Sequence, residues 1–370
     1  MPQSIAGQDC QNACLCRPPA LTDDGHSVLF NLHLLRVVAA LGVVYFHTTS
    51  EAGLKLDWDV GSRGVDVFFV ISGFIIAYIG TTKPEQFFVR RLVRVVPFYW
   101  AATLVVFAMV AVLPQLFRTT SASVPHLLAS LVFLPHASGG GEMQPTLLLG
   151  WSLNFEMFFY VVFALALKIS PRWSPAICVA WIVAFVVAIH TIASTSDVMN
   201  FYARPIVLEF CFGIAVFYVF RWCSARKDQL AKSAALKWIL MFLLVENLVS
   251  IVVFEECYRD QAPRYLLAGI PAFFIVASAL LLERLWGITS KNRLIYLLGE
   301  SSYIIYLVHP YIVFAVLRVA VKHAGALPSA ALALLIVGLL ALTCAISVAI
   351  HLWFEKPVMA FLRARLTGAR

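Results

Sequence analysis

The stretch Val28-Leu-Phe-Asn-Leu-His33-Leu-Leu-Arg36-Val-Val-Ala-Ala-Leu-Gly-Val-Val-Tyr-Phe-His47 decides how this chain folds. It is apolar over a length that suits one membrane-spanning helix, about 20 residues at 1.5 Å each. Arg36 and His47 interrupt it eleven residues apart. At about 100° per residue that spacing returns both side chains to nearly one face, roughly 16 Å apart along the axis. A charged or titratable group in hydrocarbon costs several kcal/mol unless it faces a polar interior. A snorkelling Arg and an interfacial His would explain each residue alone. Together on one stripe they mark where chemistry is to be sought, with His33 three residues before Arg36 on the same side.

The remainder of the chain agrees. It is 61% hydrophobic and 13% charged, with a mean hydropathy of +0.85. A soluble domain carries about a quarter charged residues, so this chain has too few to cover a wetted surface. The apolar runs are long and continuous rather than alternating, which excludes a transmembrane barrel. Ten runs are expected to span, at approximately residues 28–47, 65–81, 96–113, 146–168, 176–193, 205–222, 236–254, 264–286, 300–321 and 328–354. The expected fold is an all-α polytopic membrane protein, a bundle of about ten transmembrane helices. The piece from Val124 to Pro135 is too short to span and reads as interfacial or re-entrant.

Most of the 28 Lys and Arg residues fall in loops that are cytoplasmic if the N-terminus is cytoplasmic. The expectation is a bacterial inner-membrane protein with both termini inside. It comprises a leader over 1–27, a transmembrane domain over 28–358 and a basic tail over 359–370. The net charge of +8 is then a topology signal, and no nucleic-acid partner is expected. The leader lacks the apolar core of a signal peptide. It holds Cys10, Cys14 and Cys16 of the eight cysteines. A metal there would need a fourth ligand such as His26, so incidental thiols are the simpler reading and no metal site is expected. The other cysteines are scattered and form no disulfide framework.

Four polar constellations organise the site. The first is Arg36 with His47, whose neutral imidazole can take a proton from a hydroxyl nucleophile near neutral pH. The second is Asp66, which opens the second span at the depth of His47. It is positioned to orient that imidazole as the acid does in hydrolase triads, or simply to cap its helix. The third is Arg91 and Arg94, three apart just before Pro97. They suit phosphate oxygens, although ordinary positive-inside anchoring explains them equally well. The fourth joins Ser152 and Glu156, i,i+4 neighbours on the fourth span, to a stripe on the ninth made by Ser302, Tyr303, Tyr306 and His309. Glu156 and His309 are both expected near mid-membrane. Glu209 and Glu246 are further buried carboxylates.

In this order the motifs resemble acyltransferase family 3, the integral-membrane acyltransferases that O-acylate surface and exported polysaccharides. The resemblance runs from Leu32 to about Val358. It rests on Arg36-x10-His47, Gly64-Val-Asp66-Val-Phe-Phe-Val-Ile-Ser-Gly73-Phe, Arg91-x-x-Arg94, Trp151-Ser-Leu-x-x-Glu156, Ser302-Tyr-x-x-Tyr306-Leu-x-His309-Pro and Glu355-Lys-Pro357. Val37 stands where relatives often carry a small residue, the Cys-bearing leader has no counterpart, and no fused hydrolase-like domain is expected.

The resemblance implies transfer of an acyl group, most often acetyl, from cytosolic acyl-CoA to a hydroxyl of a glycan or its lipid-linked precursor. No permanently bound cofactor is expected. The lipid bilayer and polysaccharide assembly machinery are the further partners. His47, Asp66, Arg36 and Glu156 are the candidate catalytic residues, and Arg91 and Arg94 would hold the donor. Ser152, Tyr303, Tyr306 and His309 would line the substrate path. The rival is a transporter or flippase for a polar lipid-linked precursor, since buried charges also mark transport paths. Against it, no inverted repeat is evident.

Overall fold

The computed structural model describes residues 22–23, 26–52, 61–114, 122–137, 143–258, 261–324 and 329–367. The cysteines at 10, 14 and 16 and the end of the basic tail lie outside them. A two-residue antiparallel ladder, β1 (Thr22–Asp23) with β2 (His26–Ser27), precedes the helices. The helices are α1 (Phe30–Glu51), α2 (Gly64–Thr82), α3 (Phe87–Val112), α4 (Val124–Leu131), α5 (Gly150–Ile169), α6 (Ser174–Thr191) and α7 (Asp197–Tyr202). There follow α8 (Leu208–Ala225), α9 (Lys227–Leu230), α10 (Ala234–Tyr258), α11 (Ile270–Trp286), α12 (Arg293–Ala324), α13 (Ser329–Ile350) and α14 (Lys356–Thr367). Among the described residues ten helical segments are long and apolar enough to cross a membrane. The protein is an all-α polytopic membrane protein. Helices suit this solvent because each satisfies its own backbone polar groups where water is absent.

Two runs end elsewhere than the apolar pattern suggests. The third span was expected from residue 96, but α3 starts at Phe87 and carries Arg90, Arg91 and Arg94 in its first turns, with Pro97 inside the helix. Arginine is a good helix former, so a hydropathy run underestimates a helix whose first turns are basic. At the other end, α13 passes through a π-turn at His351–Glu355 straight into α14. The segment from 359 to Thr367 is therefore helix. The short piece expected after Val124 is the eight-residue α4. Its C-terminal carbonyls are tied to α3, where Tyr99 donates to Ser130 (3.0 Å) and Trp100 to Leu131 (2.8 Å).

The placement of α1 is set from another helix. Leu29 provides no side-chain cap. Instead the Glu283 carboxylate, at the end of α11, accepts from the backbone N–H groups of Phe30 and Asn31, both at 2.8 Å. The Asn31 amide donates to the carbonyls of Ala279 (2.8 Å) and Ile288 (2.9 Å). An acid at a helix N-terminus satisfies orphan donors and complements the dipole. Here it also anchors the helix that carries Arg36 and His47.

The core lies where α2 crosses α8. A Cβ on Gly213 would sit 2.1 Å from the carbonyl oxygen of Val70, and one on Gly73 would sit 2.2 Å from that of Phe210. Only two glycines allow backbones this close. Phe210 stacks between Phe69 (4.6 Å) and Phe159 (4.5 Å), joining α2, α5 and α8.

Candidate active site

At one end of the bundle a cavity of about 560 Å³ is lined by His47, Ser62, Arg63, Gln144, Trp151, Arg264 and Tyr306 among apolar side chains. His47 reaches it from the last turns of α1. Its ring centre lies 5.1 Å from that of Phe46 and 5.2 Å from that of His309, tilted by 43°. His309 was expected to join Glu156; the structure places it beside His47. It is completely buried. Its Nδ1 lies 3.1 Å from the Ile305 carbonyl oxygen, and its Nε2 has no hydrogen-bond partner.

Asp66, expected to orient His47 or to cap its helix, meets Arg264. Its carboxylate, wholly buried, forms a bidentate pair with Arg264, Nε to Oδ1 at 2.8 Å and Nη2 to Oδ2 at 2.6 Å. Glu209 of α8 faces the same pair. The reason is geometric. Asp66 opens α2 on the side facing Arg264, the residue immediately before the π-turn Tyr265–Gly269 that leads into α11. Sequence reasoning missed Arg264 because a lone basic residue at a span end looks like a loop cation. The available signal was Asp66 itself, since a buried carboxylate calls for a cation at its own depth.

Below the cavity the polar groups continue. The Ser152 hydroxyl donates to the Leu149 carbonyl at 3.0 Å and lies 2.8 Å from the Tyr306 hydroxyl. The Tyr306 hydroxyl also approaches the Leu149 carbonyl, at 3.5 Å. Glu156, one turn further along α5, accepts from Ser72 of α2 at 2.8 Å and from Tyr160. Tyr303 donates to the Val95 carbonyl of α3 at 2.9 Å. The expected stripe on α12 thus reaches three partners: α3 through Tyr303, α5 through Tyr306 and α1 through His309.

At the far end stand the arginines. Arg91 interacts electrostatically with Tyr160 and Glu156, and its guanidinium lies 5.9 Å over the Phe87 ring. Arg36 belongs to this end, within the fields of Arg94, Glu156, Glu355 and Glu300. Beside it the π-turn His351–Glu355 turns two buried groups inward. His351 Nδ1 is 2.6 Å from Glu355 and its Nε2 3.9 Å from Glu300, which also meets Lys356 at 3.8 Å. Tyr296 donates to Glu300 at 3.2 Å and packs on His33 with ring centres 4.5 Å apart. Polar side chains therefore run through the bundle from His47 to Arg91 and Arg94. Glu246 stands apart on α10, accepting from Asn247 (2.6 Å) and Ser250. Among the described residues no His, Cys, Asp or Glu cluster has the makings of a metal site.

Residues 29–352 match the family described as an acyltransferase domain. The chain is 34% identical over 330 residues to the exopolysaccharide production protein ExoZ of Rhizobium meliloti (strain 1021), covering 88% of this chain and 97% of that one. It is 28% identical over 195 residues to nodulation protein 10 of Rhizobium leguminosarum bv. viciae, covering 43% and 51% of the two chains. With the O-acetyltransferase OatA of Staphylococcus aureus (strain NCTC 8325 / PS 47) the identity is 24% over 308 residues, covering 76% and 50%. The chain spans nearly all of ExoZ and about half the length of the other two. No solved structure matches it.

Proposed function

This chain belongs to acyltransferase family 3, and from that premise we propose that it transfers an acyl group, acetyl in the first instance, from acyl-CoA to a hydroxyl of an exported glycan or its lipid-linked precursor. The names of ExoZ and OatA support a polysaccharide acceptor and an acetyl donor. The observation that carries the reading is the cavity around His47, joined by polar side chains to a basic cluster at the opposite end of the bundle.

In this reading the Arg91/Arg94 end is cytoplasmic, as are both termini, and the membrane is the bacterial inner membrane. The guanidinium groups of Arg91 and Arg94 bind donor phosphate oxygens. The thioester lies along the groups Arg36, Glu156, Tyr303, Ser152 and Tyr306. The glycan hydroxyl enters the cavity beside His47, whose ring nitrogen takes the hydroxyl proton as the oxygen attacks the thioester carbonyl. The tetrahedral intermediate collapses with loss of the coenzyme A thiolate, which recovers the proton from the imidazolium. Tyr306 and Arg264, both at the cavity wall, are the donors nearest the developing oxyanion. Asp66 holds Arg264 in place.

Mass spectrometry of the surface glycans tests this. Cells with the gene should carry a mass increment of one acyl group that is missing without it and missing with His47→Ala. Loss of a positioned base typically costs about 10²–10⁴ in rate. Glycans of unchanged mass on deletion of the gene would refute the acceptor class. Normal acylation by a folded His47→Ala protein would move the base elsewhere.

A further inference from the structure

Asp66 pairs with Arg264 through both carboxylate oxygens, and the ring of α12 that lies beside His47 is that of His309. We propose that His309 is the positioning residue of the reaction, an imidazole that holds the His47 imidazole in the tautomer a base requires. The inference rests on the reading of His47 as the base.

The backbone of α12 settles the chemistry of His309. A carbonyl oxygen can only accept, so Nδ1, 3.1 Å from that of Ile305, carries the ring proton. The Tyr306 carbonyl is a second backbone acceptor for this ring. Pro310, the next residue, has no N–H, and this removes the donor that the Tyr306 carbonyl would meet in an unbroken helix. In the neutral ring Nε2 is then a lone pair and nothing else. That nitrogen is wholly buried and has no partner, while its ring centre lies 5.2 Å from that of His47. Leaving a buried acceptor unpaired costs its desolvation with nothing in return. A core that needed only volume here would be better served by leucine.

A fixed acceptor on one side of His47 selects the His47 N–H that points toward it. The other His47 nitrogen then presents its lone pair to the cavity and its hydroxyl substrate. When His47 takes the hydroxyl proton, both its nitrogens carry hydrogen, and Nε2 of His309 accepts from the one it faces. The proton later returns from His47 to the departing thiolate, and His309 itself gains and loses none. The logic is that of an orienting carboxylate, with a neutral ring in its place.

The test compares His309→Leu, His309→Gln, His47→Ala and the double variant His47→Ala/His309→Leu in membranes of the producing cells. Radiolabelled acetyl-CoA is the donor, the cells' own glycan is the acceptor, and folded protein is counted by size-exclusion chromatography of each variant. His309→Leu should lower kcat by at least tenfold with the acetyl-CoA KM within about twofold of wild type. A wrong tautomer in a triad costs about 10⁴. His309→Gln, whose amide oxygen can accept near the place of Nε2, should recover most of that loss. The double variant should be no worse than His47→Ala alone. Equal activity of His309→Leu and wild type, or equal losses in His309→Leu and His309→Gln, would overturn the inference while leaving His47 as the base. An active His47→Ala protein would overturn the reading beneath it, and the inference with it.

Discussion

Asp66 shows at the scale of one residue how burial dictates partnership. A carboxylate with no exposed surface needs a cation with matching geometry, and the guanidinium fork of Arg264 meets both oxygens. Breaking a fully buried pair costs about 3–5 kcal/mol. Because the Arg264 side chain is 36% exposed, the loss here should be smaller, on the order of 2 kcal/mol. Asp66→Ala and Arg264→Ala should each lower the unfolding temperature in detergent, and the double variant should fall short of their sum. Strict additivity would mean that the two do not stabilise each other. Arg91 and Arg94 make a different prediction. Arg91→Ala and Arg94→Ala should weaken acetyl-CoA binding about tenfold or more, since one charge-assisted hydrogen bond is worth about 1.5–3 kcal/mol. Isothermal titration of the purified double variant checks this, and unchanged affinity would return both residues to simple anchoring.

At the scale of the element, the crossing of α2 and α8 is the most demanding contact. A methyl group on Gly213 meets backbone atoms at 2.1–2.7 Å, which no rotamer change relieves. Gly213→Ala should therefore force the helices apart and cost about 1–3 kcal/mol. Gly338 on α13 is the control, with nothing within 4 Å of its would-be Cβ. There the same change should be neutral or mildly stabilising, because glycine is about 0.5–1 kcal/mol poorer than alanine inside a helix. Thermal stability of the two variants in one detergent decides the matter; equal effects would show that the crossing tolerates separation. Glu283 acts at this scale too, by holding the start of α1 against α11.

For the whole molecule, the ordering of polar groups from Arg91 to His47 has meaning only once the bundle is oriented in its membrane. The basic turn at Arg226 and Lys227 follows α8, and the polar turn near Ser194 follows α6. A tag inserted at Arg226 should be protected from an impermeant reagent in intact cells, and one at Ser194 should be labelled. Labelling of both, or the reverse pattern, would overturn the proposed orientation and exchange the donor and acceptor faces.

Hydropathy is a property of consecutive residues, which is why ten spans, a piece after Val124 too short to span and an all-α bundle were legible from the sequence. The family motifs were legible for the same reason, because all of them but Glu355-Lys-Pro357, which runs from the π-turn into α14, lie within one helix. Arg36, Glu156 and His309 stood out as polar interruptions of apolar runs. What each of them touches was not legible, because partners on different helices depend on how each helix is rotated and how closely it approaches its neighbours. The pairing of Asp66 with Arg264, 198 positions away, and the packing of the His47 ring beside that of His309 follow from where α1, α2, α11 and α12 converge. That convergence is set by contacts such as Gly73 on Gly213 and Glu283 on the start of α1. The sequence by itself determined that polar groups are buried in a membrane; only the tertiary structure decided which of them meet, since packing rather than chain order brings side chains within bonding distance.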